Sequence, residues 1–177
     1  MARRYALVLA AAAIVLWLGF SEEVLGSALV FWRIEVAKAV VALIHLAGME
    51  ATREASAIYH PGGFAYEISR GCTGFVPAAL LATAIAAYPA KGRKLAGLLL
   101  GVPLLLGVNL ARLMHLYYLG VHQPQWFETA HRVVWEGVIV LAVLGLWLAW
   151  TTWADRGRGA TPRTTRRRCE KRSELVQ

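Results

Sequence analysis

The sequence has few cysteines and few acidic residues, and it lacks the usual metal-binding spacings. Only two cysteines, at positions 72 and 169, occur among 177 residues, so a fold held by several disulfides is excluded. No Cys-x-x-Cys or His-x-x-x-His pair is present, which argues against a zinc site, and we predict no cofactor. Acidic residues number 11 against 19 Lys and Arg, yet the basic residues gather at the two ends and in one short loop. That distribution is typical of membrane orientation rather than of nucleic-acid binding.

Apolar residues make up 58% of the chain and include seven tryptophans. This composition predicts an all-α integral membrane protein with one membrane domain, residues 1–154, followed by a basic, disordered tail, residues 155–177. Hydropathy and loop charge predict four transmembrane helices. They cover residues 5–20, 73–89, 95–119 and 133–153.

Two segments outside these spans have their own patterns. Residues 24–48 are long enough to cross a membrane, but Arg33, Glu35 and Lys38 lie near the middle, so an interfacial helix on the outer surface is predicted. Residues 50–70 are polar, and a turn signal at residues 60–63 predicts a short β-hairpin with strands 57–59 and 64–68. Residues 120–130 are predicted to form a polar loop.

The positions of the basic residues orient the predicted spans. Four crossings place the N-terminal arginines, the Lys91/Arg93/Lys94 loop and the C-terminal tail together in the cytoplasm. Both termini are then cytoplasmic. The same topology puts Cys72, Arg112 and His131 on the extracytoplasmic side at similar depth.

Cys72 is the first candidate for chemistry. It opens an apolar stretch within the run Gly71-Cys72-Thr73-Gly74, where free backbone N–H groups at the start of a helix would favour a thiolate and could cradle an oxyanion. We therefore predict that Cys72 is a nucleophile, with Gly71, Thr73 and Gly74 in support. The alternative is a buried cysteine that acts only as a small hydrophobic side chain.

Arg112 is the second candidate, because arginines inside membrane segments are rare and usually face a cavity or a bundle interior. Asn109 and His115 flank it at i−3 and i+3, which predicts a polar stripe on one helix face. A structural role, in which Arg112 satisfies buried carbonyls or pairs with Glu136, is the alternative.

His131 is the third candidate, although a histidine at a membrane interface needs no special function. Together, a thiol, a guanidinium and an imidazole on one side of the membrane supply a nucleophile, a charge stabiliser and a proton-transfer group. The chemistry that this set supports is acyl transfer, in which an amide is cleaved and a thioester is held and released.

These motifs resemble the exosortase/archaeosortase family of multi-pass membrane cysteine transpeptidases. The resemblance rests on residues 71–74 opening a span, on Asn109-Leu110-Ala111-Arg112 within the next, and on His131 before the last. The short chain and residues 117–128 look most like the bacterial exosortase H type. The resemblance implies that Cys72, Arg112 and His131 are the catalytic residues.

The resemblance also implies a substrate and a location. The expected substrates are exported proteins whose C-terminal sorting signal consists of a short motif, a transmembrane helix and a basic cluster. Cleavage would occur at the outer face of the bacterial inner membrane, with lipid as the other partner. Whether water or an amine ends the cycle, and the oligomeric state, stay open.

Two other functions are compatible with the residues. A non-enzymatic membrane assembly factor or scaffold would use Arg112 only structurally. A membrane thiol oxidoreductase would need a redox partner for Cys72, and the sequence offers none on the same side of the membrane, so this function ranks last.

Overall fold

The computed structural model describes Ala10, Ile14, residues 22–89 and residues 93–156. The predicted first span, residues 5–20, lies almost wholly outside the described residues, as do Cys169 and all but two residues of the predicted tail. The four-span count and the division into a membrane domain and a tail therefore stay predictions.

The described residues are mainly helical, with one small sheet between the first two helices. The helices are α1 (Glu22–Leu46), α2 (Phe75–Ala87), α3 (Lys94–His122), α4 (Pro124–Thr129) and α5 (Trp135–Arg156). The strands are β1 (Thr52–Glu54), β2 (Ala57–Tyr59) and β3 (Ala65–Glu67). A 3-10 turn, Arg70–Cys72, precedes α2, and a π-helical turn, Ala130–Val134, joins α4 to α5.

Helix α1 packs on the sheet through one apolar face. Val36, Val40 and Ile44 recur every four residues, are buried, and pack in a cluster with Ile58 of β2 and Tyr117 of α3, as expected for an amphipathic helix. On its polar side Lys38 Nζ donates to Glu35 Oε1 at 2.6 Å, a pair that the i, i+3 spacing of the two residues allows. Whether α1 lies at the membrane surface stays a prediction.

The polar segment forms a three-stranded antiparallel sheet in the order β1-β2-β3, one strand more than the sequence predicted. Thr52 pairs with Tyr59, and Tyr59 with Ala65. Arg33 of α1 fixes the end of this sheet, because its Nε donates to Ile68 O at 2.7 Å. The sheet therefore positions the residues that lead directly into the turn containing Cys72.

Two helical units are long and apolar enough to cross a membrane, Lys94–His122 and Pro124–Arg156. Many large apolar side chains on both are exposed, including Leu99, Leu104, Leu141 and Leu148, which suits a lipid environment. Helix α2 has 13 residues, about 20 Å at the helical rise, against about 30 Å of hydrocarbon. The predicted span over residues 73–89 is therefore shorter in the structure than in the prediction.

The polar loop predicted for residues 120–130 is wrong. Helix α3 continues to His122, and α4 begins at Pro124 after a single non-helical residue, Gln123. A proline in the first turn of a helix sacrifices no hydrogen bond and already has a helical φ. Polarity suggested a loop, whereas the chain needs only one residue to change direction.

The ends of α2 mark the two ends of the bundle. Cys72 and the sheet lie before its first residue, whereas Tyr88 follows its last and donates to Asp155 Oδ2 at 2.6 Å. Arg93 donates to Trp153 O at 2.6 Å near the same end. Arg93 and Cys72 are thus at opposite ends of the bundle, and the membrane side of each stays a prediction.

Candidate active site

Cys72 is buried and ends the 3-10 turn that precedes α2. Its N–H donates to Ser69 O at 3.0 Å, and the N–H of Thr73 donates to Arg70 O at 3.2 Å. Both amides are therefore used inside the turn. The expectation that free N–H groups beside the thiol would hold an oxyanion is wrong for these two residues, because the chain closes a turn there before α2 begins.

Gly74 and Asn109 lock the backbone around the thiol. Gly74 has φ +72°, and a Cβ built on it would lie 3.0 Å from Asn109 Cγ, so this position requires glycine. Asn109 donates from Nδ2 to Cys72 O at 2.9 Å. Thr73 contributes by accepting the N–H of Phe75 at 3.3 Å. Gly71 is exposed, and a Cβ built on it would meet only Ser69 Oγ, at an ordinary contact distance of 3.9 Å.

Two side chains contact the Cys72 sulfur. Ser69 Oγ donates to Sγ at 3.3 Å, and His131 Nε2 lies 3.5 Å from Sγ although 59 residues separate the two in the chain. The tertiary structure thus brings together the cysteine and the histidine that the sequence singled out. Ser69 was not predicted as a site residue. The only indication of its role in the sequence is its position three residues before Cys72, at the start of a turn.

His131 was predicted to lie at the start of the last membrane helix. In the structure it lies within the π-helical turn that precedes α5. Trp135 N–H donates to Ala130 O, five residues back, which is the defining bond of a π turn and is frequent at functional sites. The His131 ring stacks on Phe127, with ring centroids 6.0 Å apart and planes at 4°. Phe127 was also missed, although its i, i+4 spacing is compatible with this contact.

Arg112 is buried and pairs with Glu136. Its Nη2 lies 3.2 Å from Glu136 Oε1, and the two side chains are 4% and 62% exposed. Among the described residues, no acceptor lies within hydrogen-bonding distance of Arg112 Nε. Arg112 and Glu136 are also close enough to His131 to interact electrostatically with its ring.

The polar stripe predicted on α3 is only partly present. Asn109 and Arg112 are buried and face the region of Cys72, but His115 is exposed and accepts from Trp135 Nε1 at 2.9 Å through Nδ1. Two steps of three residues rotate by about 240° around a helix axis, so the first and third members diverge. His115 therefore does not join the site.

A cavity of about 720 Å³ opens between α2 and α5. Its wall includes Ser69, which donates to Cys72 Sγ, whereas Cys72 and His131 themselves are not among its lining residues. Polar groups gather at one part of its wall, namely Ser69, Arg70, Arg112 and Glu136, and the other lining residues include Val76, Leu80, Val140 and Leu144. Val140 and Leu144 are among the exposed apolar residues of α5. The cavity can therefore receive a molecule that is apolar along most of its length and polar at one end.

Tyr66 closes the site on the side of the sheet. Burial raises the pKa of its phenol above the ordinary value, and the nearby Cys72 and Tyr117 add to that rise. The phenol therefore stays protonated and donates to Leu113 O at 3.3 Å. Tyr66 is thus an uncharged side chain near the thiol, and its hydrogen bond connects β3 to α3.

The described residues contain no group of three or more His, Cys, Asp or Glu side chains that could hold a metal ion. What they do contain is a thiol in contact with an imidazole, and a buried guanidinium nearby that has a donor to spare. Such a set can form and break an acyl–sulfur bond.

Comparison with known proteins agrees with the resemblance seen in the motifs. No curated protein and no solved structure matches the chain. The family described as transmembrane exosortase matches residues 1–150. Because this match covers most of the 177 residues and all of the site, the chain belongs to the transmembrane exosortase family of membrane proteins.

Proposed function

We propose that this protein is a membrane cysteine transpeptidase or protease that cleaves the C-terminal sorting signal of exported proteins through a thioester intermediate. The observation that carries this proposal is the 3.5 Å contact between Cys72 Sγ and His131 Nε2. A cysteine beside an imidazole can pass its proton to the ring and attack a carbonyl carbon. The family supports this class of activity.

In the first half of the reaction, His131 Nε2 takes the thiol proton while Cys72 Sγ bonds to the carbonyl carbon of the substrate. The carbonyl oxygen becomes an oxyanion, and Arg112, a charged donor in the wall of the cavity, stabilises it. When the carbon–nitrogen bond breaks, His131 returns the proton to the leaving amine. The substrate remains bound to Cys72 as a thioester.

In the second half, a water molecule or an amine attacks the thioester carbon and gives up a proton to His131. The carbon–sulfur bond breaks, and the sulfur leaves as a thiolate that recovers the proton from His131. Ser69, whose hydroxyl donates to Sγ at 3.3 Å, stabilises the thiolate in both halves. The chain's own residues suffice for every proton in this scheme.

The cavity beside the thiol supports a substrate that is embedded in the membrane. Its apolar walls on α2 and α5 can contact a substrate helix, while Arg112 and Glu136 line the wall where the polar residues just outside that helix would lie. The basic segment at the opposite end of the bundle supports an outer-face site with cytoplasmic termini in a bacterial inner membrane.

The decisive experiment is coexpression with an exported reporter protein that ends in a sorting signal from the same organism. We expect Cys72→Ala to abolish processing, a loss of at least about a thousandfold, and a hydroxylamine-sensitive adduct to accumulate only when Cys72 is present. Unchanged processing by Cys72→Ala would remove the proposed function.

The burial of Cys72, which is 6% exposed, is the observation that favours the alternative of a non-enzymatic assembly factor. That alternative predicts that a membrane-impermeant thiol reagent does not modify Cys72 and that Cys72→Ala has no effect on any activity of the protein. The transpeptidase predicts slow modification, since the thiol lies close to the cavity.

A further inference from the structure

Among the described residues that line the cavity between α2 and α5, Glu136 is the only one with a carboxylate. It contacts Arg112 at 3.2 Å and is itself 62% exposed. From this geometry, and resting on the proposed function, we infer that Glu136 is a positioning residue that orients the Arg112 guanidinium toward the substrate carbonyl. From the sequence alone, the pairing of Arg112 with Glu136 is expected only as a structural alternative to a catalytic role for Arg112.

The Arg112 guanidinium is buried and only partly hydrogen-bonded. Arg112 is only 3% exposed, so its charge and its five N–H donors need partners. Glu136 occupies Nη2, whereas Nε has no acceptor among the described residues. A carboxylate bound to Nη2 restricts the orientation of the guanidinium plane. It leaves the Nε–H free to donate to the carbonyl oxygen of a substrate.

The π-helical turn sets the angle between His131 and Glu136 around the helix axis. In a regular α-helix, residues 131 and 136 would lie about 140° apart around the axis. The wider turn at Ala130–Val134, with its five-residue hydrogen bond, reduces that angle and puts the two side chains on one side of the helix. His131 then reaches Cys72 while Glu136 reaches Arg112.

The position of Glu136 in the cavity wall distinguishes this role from that of a purely structural ion pair. A pair that only stabilised the fold would not need to lie at the cavity wall, where water or substrate can reach the carboxylate. Glu35, by contrast, forms an ion pair with Lys38 on α1 and does not line this cavity. It provides a matched control for the loss of a partly exposed carboxylate.

The test uses the full chain in proteoliposomes with a purified reporter protein that ends in the same C-terminal signal. We expect Glu136→Gln to lower kcat roughly tenfold to a hundredfold, the loss typical of a misplaced catalytic group, with KM changed by less than about twofold. Glu35→Gln should keep both constants. In the Arg112→Ala background, Glu136→Gln should cause no further loss, because its effect passes through the guanidinium.

Three outcomes would overturn the inference. They are a wild-type kcat for Glu136→Gln, a loss that adds fully to that of Arg112→Ala, and a change confined to KM. If Glu136→Gln is not recovered from the membrane, Glu136→Asp decides instead, since it keeps the charge but shortens the side chain. A wild-type kcat for Glu136→Asp would count against the inference.

The Cys72→Ala variant separates this inference from the proposed function. If Cys72→Ala is inactive but Glu136→Gln is not impaired, this inference fails and the proposed function stands. If Cys72→Ala keeps full activity, both fail.

Discussion

At the scale of single residues, the backbone of Cys72 is held more tightly than its side chain. Its N–H and its carbonyl are both engaged, by Ser69 O and by Asn109 Nδ2. The polar partners of the sulfur among the described residues, in contrast, are side chains that can exchange protons or hydrogen bonds with it, Ser69 and His131. A fixed backbone under a chemically available sulfur is what a positioned nucleophile requires.

The two glycines beside Cys72 provide a test of this backbone. Gly74→Ala should lower the free energy of unfolding by at least about 1 kcal/mol, since an L-residue is strained at φ +72° and its Cβ would meet Asn109. Gly71→Ala should have little effect, because its nearest contact would be Ser69 Oγ at 3.9 Å. Thermal unfolding of the two purified variants measures the difference. Equal melting temperatures would contradict the structural account of residues 71–74.

At the scale of elements, the π-helical turn determines which residues of the last helical unit face the site. It adds one residue to the path between α4 and α5 and thereby changes the register of everything that follows. His131 inside the turn can therefore reach Cys72 while Glu136, just after the turn, lines the cavity. The turn also preserves the stack of His131 on Phe127 of α4.

Deletion of Val133 tests this element. Val133 is 68% exposed, so its side chain contributes little packing, and its removal lets the chain form a regular α-helix. We expect the deletion variant to insert into the membrane but to lose at least about a hundredfold in processing, because α5 rotates by about 100° relative to His131. Val133→Ala is the matched control and should process the reporter normally. Normal processing by the deletion variant would show that the register of the turn is irrelevant.

At the scale of the whole molecule, the sheet lies before the first residue of α2, and Arg93 and the end of α5 lie beyond its last, at the opposite end of the bundle. The proposed orientation then predicts which end an external reagent reaches. In a chain carrying Cys72→Ala and Cys169→Ser, Arg53→Cys in β1 should react with a membrane-impermeant maleimide added to intact spheroplasts. Arg156→Cys at the end of α5 should react only after lysis. The reverse pattern would place the site in the cytoplasm and would contradict the proposed location.

Much of the site was predictable because each residue type was unusual in its surroundings. A thiol between glycines, an arginine inside an apolar helix and a histidine near a membrane boundary are visible without coordinates. Ser69 and Phe127 were not, because a serine in a turn and an aromatic residue near a membrane surface are common. His115 was wrongly grouped with Asn109 and Arg112, because spacing alone does not fix the rotation of a helix relative to its neighbours.

Much of the fold was also predictable, but the ends of its elements were not. Apolar runs predicted the helices of residues 94–122 and 135–156 with small errors at their ends. The helical path through residues 120–134 was missed, since polar side chains there face the site and the surface rather than forming a loop. Strand β1 was not predicted, because its three residues are all exposed and show no alternation of apolar and polar side chains.

The sequence by itself determined that this chain enters a membrane, which of its residues are chemically exceptional and which family it belongs to, because hydropathy, charge and local motifs are properties of the chain. Only the tertiary structure decided that the Cys72 sulfur meets His131, that Arg112 is held by Glu136 and that a cavity opens beside them. Those contacts join residues separated by 59 and 24 positions. They depend on the register of a π-helical turn and on the packing of α3 and α5, which the local sequence does not specify.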